Sequence, residues 1–178
     1  LQIDIIQNMA TLSQYEEAYD EAILLYKEAL PAYASLYGKN HPYYATALQN
    51  LANAYSKNGD PLKGIELIEE ALEIDRSNGL DVSISYTNKL HNLAILLQET
   101  DNLDRSKAIL TTVLTNRSNL LGQNHPDYIY TLYNMAVLTQ KIGDYDASKE
   151  YFLQVIDKYD LQIESFFPYL SEREKSKY

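Results

Sequence analysis

Four asparagines recur at a fixed interval and raise the first question of chemistry. Asn8, Asn50, Asn92 and Asn134 stand 42 residues apart, each followed by Leu or Met and then Ala. An asparagine side chain carries an NH2 donor pair and a carbonyl acceptor, the set needed to grip the backbone N–H and C=O of an extended peptide whatever its side chains. Covalent and metal chemistry have far less to work with. The chain has no cysteine, which excludes disulfides, thiolate zinc sites and a cysteine nucleophile. Of the three histidines, His41 and His125 lie in a repeated Asn-His-Pro loop, where imidazole and proline set a turn and cap a helix. No carboxylate or second histidine is tied to either by the spacing a metal site needs. No Gly-rich phosphate loop, paired-carboxylate constellation or nucleophile elbow occurs. The expectation is therefore a non-enzyme with no metal and no cofactor.

Charge narrows the partners. The 178 residues carry a formal charge of −10 with a pI near 4.7, which disfavours a phosphate backbone, because nucleic-acid binders concentrate basic groups on one surface. The densest basic stretch, Arg173 to Lys177, alternates with Glu172 and Glu174. No apolar run reaches the roughly 18–20 residues that span a bilayer. Protein or peptide partners, no nucleic acid, no membrane and a cytoplasmic location are expected. The chain opens on Leu1, which suggests a piece of something longer.

Elements that could position the asparagines follow from the same repeat. At the 42-residue shift, Ala22, Gly64, Ser106 and Ser148 align as small residues, Ala29, Ala71, Val113 and Val155 as compact ones, and Leu30, Leu72, Leu114 and Ile156 as branched apolar ones. Leu48, Leu51, Ala52 and Tyr55 fall at i, i+3, i+4 and i+7, as do Leu90, Leu93, Ala94 and Leu97, which places each set on one helix stripe. A second stripe follows after a break: Ile68, Ala71, Leu72; Leu110, Val113, Leu114; Phe152, Val155, Ile156. Asn58-Gly59-Asp60-Pro61 puts Gly past one helix end and Pro at the start of the next, and Gly143 recurs in the fourth unit. Each unit is thus a helix hairpin whose helices can cross closely only where side chains are short. One hairpin cannot bury both stripes, so neighbours must stack.

The Asn-Leu-Ala triplets, the Gly-Asp-Tyr turn at 143–145 and the small-residue column together resemble the tetratricopeptide repeat, and the 42-residue period with Gly-x-Asn-His-Pro at 38–42 and 122–126 resembles the long variant of kinesin light chains. The resemblance implies an all-α, right-handed α-α superhelix of four hairpins at about 1–40, 41–82, 83–124 and 125–165, with a capping helix starting in 166–178. Three departures touch turns: Glu17 and Asp101 stand where other units have Gly, and Pro61 replaces the turn tyrosine seen as Tyr19 and Tyr145. Phe166 to Lys175 resembles the junction of bacterial proteins that join such arrays to a caspase-like CHAT protease domain, and Ser171 with Glu174 reads as a capping box. Any solenoid also needs some capping helix.

With the core stripe centred between Leu51 and Ala52, Asn50 points about 150° away from it. In tetratricopeptide domains that face of the first helix lines the concave groove, and the resemblance implies a peptide-binding groove made of Asn8, Thr11, Gln49, Asn50, Asn53, Lys57, Asn88, His91, Asn92, Tyr130, Asn134 and Lys141. Lys57 and Lys141 are opposed by Asp4 and Glu99, and no converging set of cations forms a carboxylate clamp. His91 is expected as a solvated or ligand-contacting ring. Tyr26, Tyr33 and Tyr37 are expected to pack between repeats with hydroxyls at the surface. The favoured function is an interaction scaffold that regulates a downstream effector. Its rivals are asparagines that only set the pitch between repeats, and a structural spacer assembling into homo-oligomers through its exposed repeat ends.

Overall fold

The computed structural model describes residues 2–166. Among them lie eight α-helices and no strand: α1 (Gln2–Tyr15), α2 (Tyr19–Tyr37), α3 (Pro42–Lys57), α4 (Pro61–Ser77), α5 (Ile84–Glu99), α6 (Leu103–Leu121), α7 (Pro126–Ile142) and α8 (Tyr145–Phe166). Consecutive helices pack as antiparallel hairpins, α1 on α2, α3 on α4 and α7 on α8. The all-α repeat fold is the one the residues imply. The chain forms two compact units, 1–109 and 110–178, dividing within α6. The capping helix and protease-like junction expected at 166–178 fall outside the described residues, apart from Phe166.

The small-residue column does what its size suggests. Ala22 and Ser106 are fully buried, as are the first-helix alanines Ala10, Ala52, Ala94 and Ala136. A Cβ on Gly64 would lie 3.0 Å from the Ala52 carbonyl oxygen and 3.2 Å from Leu96 Cδ1. In the third and fourth hairpins serine turns the same close approach into a bond: Ser106 Oγ donates to Ala94 O at 2.8 Å, and Ser148 Oγ to Ala136 O at 2.9 Å.

Caps explain where the helices begin. His41 Nδ1 accepts from Tyr43 N and His125 Nδ1 from Asp127 N, both at 3.1 Å, each ahead of a proline at the first helical position. The divergent third loop lacks His-Pro yet keeps the device, with Ser83 Oγ accepting from Tyr86 N at 3.1 Å. Asp60 caps α4 through Lys63 N at 3.1 Å.

The turn departures have a measurable cost. Glu17 and Asp101 adopt φ of 60° and 61°, the left-handed conformation that Gly59 and Gly143 take at 87° and 90° in the matching turns. A β-carbon disfavours that region by about 1–2 kcal/mol, partly offset by the backbone entropy glycine loses on folding. Glu17→Gly and Asp101→Gly should therefore each stabilise the protein by about 0.5–1 kcal/mol, read as a higher urea midpoint at unchanged m-value.

Candidate functional site

Within the first unit the polar sides of α1, α3 and α5 meet in a ladder. Gln14 Nε2 donates to the Asn50 backbone carbonyl at 3.5 Å, Asn92 Nδ2 to Asn53 Oδ1 at 3.4 Å, and Ser56 Oγ to Glu99 Oε2 at 2.9 Å. The first two are long against the usual 2.9–3.0 Å of an N–H···O bond. Gln49, Asn50, Asn53, Asn88 and Asn92 are half-buried, while Asn8 and Lys57 are exposed. The Asn50 side-chain amide has no hydrogen-bond partner among the described residues, so both its donor and its acceptor face water.

Other members of the expected set go elsewhere. Thr11 Oγ1 donates to Gln7 O at 2.9 Å and contacts the Tyr26 hydroxyl at 3.2 Å, so it bonds inside the first hairpin. The contact with Tyr26 turns it toward α2 rather than to the open side. His91 is 4% exposed and its ring is a core group, correcting the expected solvated imidazole. The tyrosine expectation is also corrected. Tyr26 and Tyr33 are buried, and their hydroxyls bond to Thr11 and to the Gln7 side chain across the hairpin. Burial raises the pKa of both phenols, with the Thr11 contact acting against it at Tyr26. Only Tyr37 stays at the surface, in an aromatic cluster with His41 and Tyr43 at centroid distances of 5.1 and 5.0 Å.

In the second unit Tyr130 and Lys141 are exposed on α7, whereas Asn134 is 7% exposed, so this member of the asparagine column is sealed from solvent. Beside it on α7, Thr131, Met135 and Leu138 are buried, and the Tyr133 ring packs edge-on against Phe152 of α8 with centroids 6.0 Å apart.

Sequence reasoning missed the buried polar groups where hairpins join. Lys89 of α5 and Asp75 of α4 are 0% and 1% exposed, with Nζ and Oδ2 2.9 Å apart. The well-aligned bond of Lys89 goes to Ser85 Oγ at 2.8 Å, and neither Asp75 carboxylate oxygen gains a hydrogen bond. At the equivalent positions 42 residues on, buried Arg117 of α6 donates to Thr131 Oγ1 of α7 at 2.6 Å and to Asp127 O at 2.8 Å. Burial depresses the Arg117 pKa.

Among the described residues no group of three His, Cys, Asp or Glu could hold a metal, and no helix is long and apolar enough to cross a membrane.

The tetratricopeptide repeat family model matches residues 2–77 and 86–160. The chain belongs to the tetratricopeptide repeat family. Among curated proteins it is similar to the clustered mitochondria protein homologs of Aspergillus niger and Coccidioides immitis, 28% and 29% identical over 151 residues. That alignment covers 84% of this chain but only 11% of theirs. These relatives are fungal and do not support the bacterial, CHAT-linked origin suggested by residues 166–175. Among solved structures, a Podosopora anserina protein of kinesin light chain type with nearly identical TPR-like repeats superposes at a TM-score of 0.79, with 20% identity over 96% of this chain and 78% of that one. The Rap conjugation gene regulator of plasmid pLS20, solved with its Phr* peptide, superposes at 0.73, with 15% identity over 88% of this chain and 42% of the other. At these identities the tetratricopeptide repeat chain shares the fold with both.

Proposed function

We propose that the tetratricopeptide repeat chain is a non-enzymatic, cytoplasmic interaction module that lays an extended protein segment along the polar side of α1, α3 and α5 and couples its presence to an effector elsewhere in a longer protein. The observation that carries the reading is the state of the amides. Asn50 is unpartnered and half-exposed, and the Asn92–Asn53 contact is long enough for a peptide to replace it at little cost. Asn8 and Lys57 extend the same open side, and Gln49 and Asn88 flank it. The Rap regulator, of like fold, is solved holding a peptide. Tyr130 and Lys141 offer a second polar surface on α7. The Asn92–Asn53 contact also favours a second reading, in which the asparagines fix the spacing of adjacent hairpins.

A peptide selected against the chain by display separates the two. Each amide pair is worth about 0.5–1.5 kcal/mol net, so Asn50→Ala with Asn92→Ala should weaken the selected peptide by about 10-fold or more, since 1.4 kcal/mol is a factor of ten. Helicity by circular dichroism should be unchanged. Wild-type affinity in the double variant, or a loss of folding in its place, would favour the spacing role.

A further inference from the structure

We infer that the cleft between the second and third hairpins binds a free α-amino acid with a branched apolar side chain, of leucine's kind. The cleft, of about 410 Å³, lies wholly within the first unit and is lined by α4, α5 and α6. Small-ligand sites run from about 300 to 1,000 Å³. None of the residues of the proposed peptide surface lines it. Its floor is apolar, made of Leu72 of α4, Leu90 and Leu93 of α5 and Ile109 of α6. Its rim is charged, with Glu69, Glu73 and Arg76 from α4 and Arg105 from α6.

The 42-residue repeat separates what the fold requires from what it does not. At the floor, the positions one repeat earlier are Leu30, Leu48, Leu51 and Leu67, and one repeat later Leu114, Leu132, Met135 and Tyr151. All are large and apolar, so the stacking of hairpins accounts for the floor. The rim does not follow. Its positions are Lys27, Pro31, Ala34 and Lys63 one repeat earlier, and Thr111, Thr115, Ser118 and Ala147 one repeat later. The middle junction alone gathers acids and bases in equal number at these four places, and the repeat is built without them at the others.

The rim sets opposite charges across the cleft. Arg105 Nη2 of α6 meets Glu69 Oε1 of α4 at 2.5 Å, with side chains 49% and 43% exposed. Arg76 is fixed at one edge by Glu73 Oε2 at 2.6 Å and by the Tyr86 hydroxyl at 3.0 Å. An ion pair this exposed gains little from its own contact, so a ligand carrying both signs can take its place. The ligand carboxylate accepts from the Arg105 guanidinium and the ligand ammonium donates to the Glu69 carboxylate, both charge-assisted bonds. Its side chain then lies on the four floor residues. A ligand of one sign separates the pair and leaves one rim charge without a partner above an apolar surface. Leucine carries both charges on one carbon and a branched apolar group beyond it, which is the order that the rim and floor demand.

The test is a titration of the 178-residue chain with L-leucine, followed by magnetic resonance of its methyl groups. Saturation at one to one is expected, with a Kd of about 1 mM or tighter and shifts centred on Leu72, Leu90, Leu93 and Ile109. N-acetyl-L-leucine lacks the ammonium and L-leucinamide the carboxylate, and each should bind about 10-fold more weakly, the loss of one charge-assisted bond. Glu69→Gln and Arg105→Gln, both at exposed positions and checked for native helicity, should weaken leucine by a similar factor. An absence of saturation by about 10 mM, ten times that Kd, overturns the inference and leaves the rim as a staple between α4 and α6. N-acetyl-L-leucine or L-leucinamide binding as tightly as leucine would make a polypeptide end the occupant and reject the free amino acid. Shifts centred away from the cleft reject it as well.

Discussion

Lys89→Ala should destabilise the protein by about 3–5 kcal/mol, the usual cost of removing one partner from a buried ion pair, and Asp75→Ala should do nearly the same. Both side chains are essentially inaccessible, so truncating either leaves an ion in a medium that cannot solvate it. The pair itself contributes much less than that figure, because the contact aligns no hydrogen bond onto either Asp75 oxygen and both ions were desolvated to make it. The combination Lys89→Met with Asp75→Leu should accordingly fold with stability equal to the parent or higher by about 1–4 kcal/mol. Urea unfolding of the two single variants and the double variant decides the matter. A double variant as unstable as the singles would show that the pair stabilises the fold outright.

The second large effect is expected at the helix crossing. Gly64→Leu should cost about 3 kcal/mol or more, at the upper end of what overpacking does, because the added side chain begins 3.0 Å from the Ala52 carbonyl and 3.2 Å from Leu96. One neighbour is backbone and the other belongs to the next hairpin, so α3, α4 and α5 must all separate. Gly64→Ala should stay within about 1 kcal/mol of the parent, because the clash at Cβ is offset by alanine's helix propensity over glycine, worth close to 1 kcal/mol. Thermal unfolding of both variants checks the contrast. Equal losses would place the strain in the backbone and not in the crossing.

The fold was legible because its information is periodic. The column Ala22, Gly64, Ser106, Ser148 and the Asn-Leu-Ala triplets each repeat a physical requirement four times, and even the departures at Glu17 and Asp101 announced positions where glycine belongs. The polar interior was harder to read. Lys89 reads as a surface residue one place before the Leu90 stripe, yet its column holds Ala47 and Thr131, both small enough to pack, and that column contained the signal. The asparagines show the limit of a single helical wheel. The same letter at the same spacing is exposed at Asn8, half-buried at Asn50 and Asn92, and sealed at Asn134, because exposure depends on which side chains neighbouring helices bring. His91 and Thr11 were misplaced for that reason, their partners being supplied from outside their own stripe.

The central claim, that an extended segment lies along α1, α3 and α5, is tested most directly by nuclear magnetic resonance of the side-chain NH2 groups as a display-selected peptide is added. The Asn50 and Asn92 resonances should move together with saturation at the binding stoichiometry, with backbone changes concentrated in α1, α3 and α5. Shifts gathered on α2 and α4, with those two amides unmoved at saturation, would contradict the account.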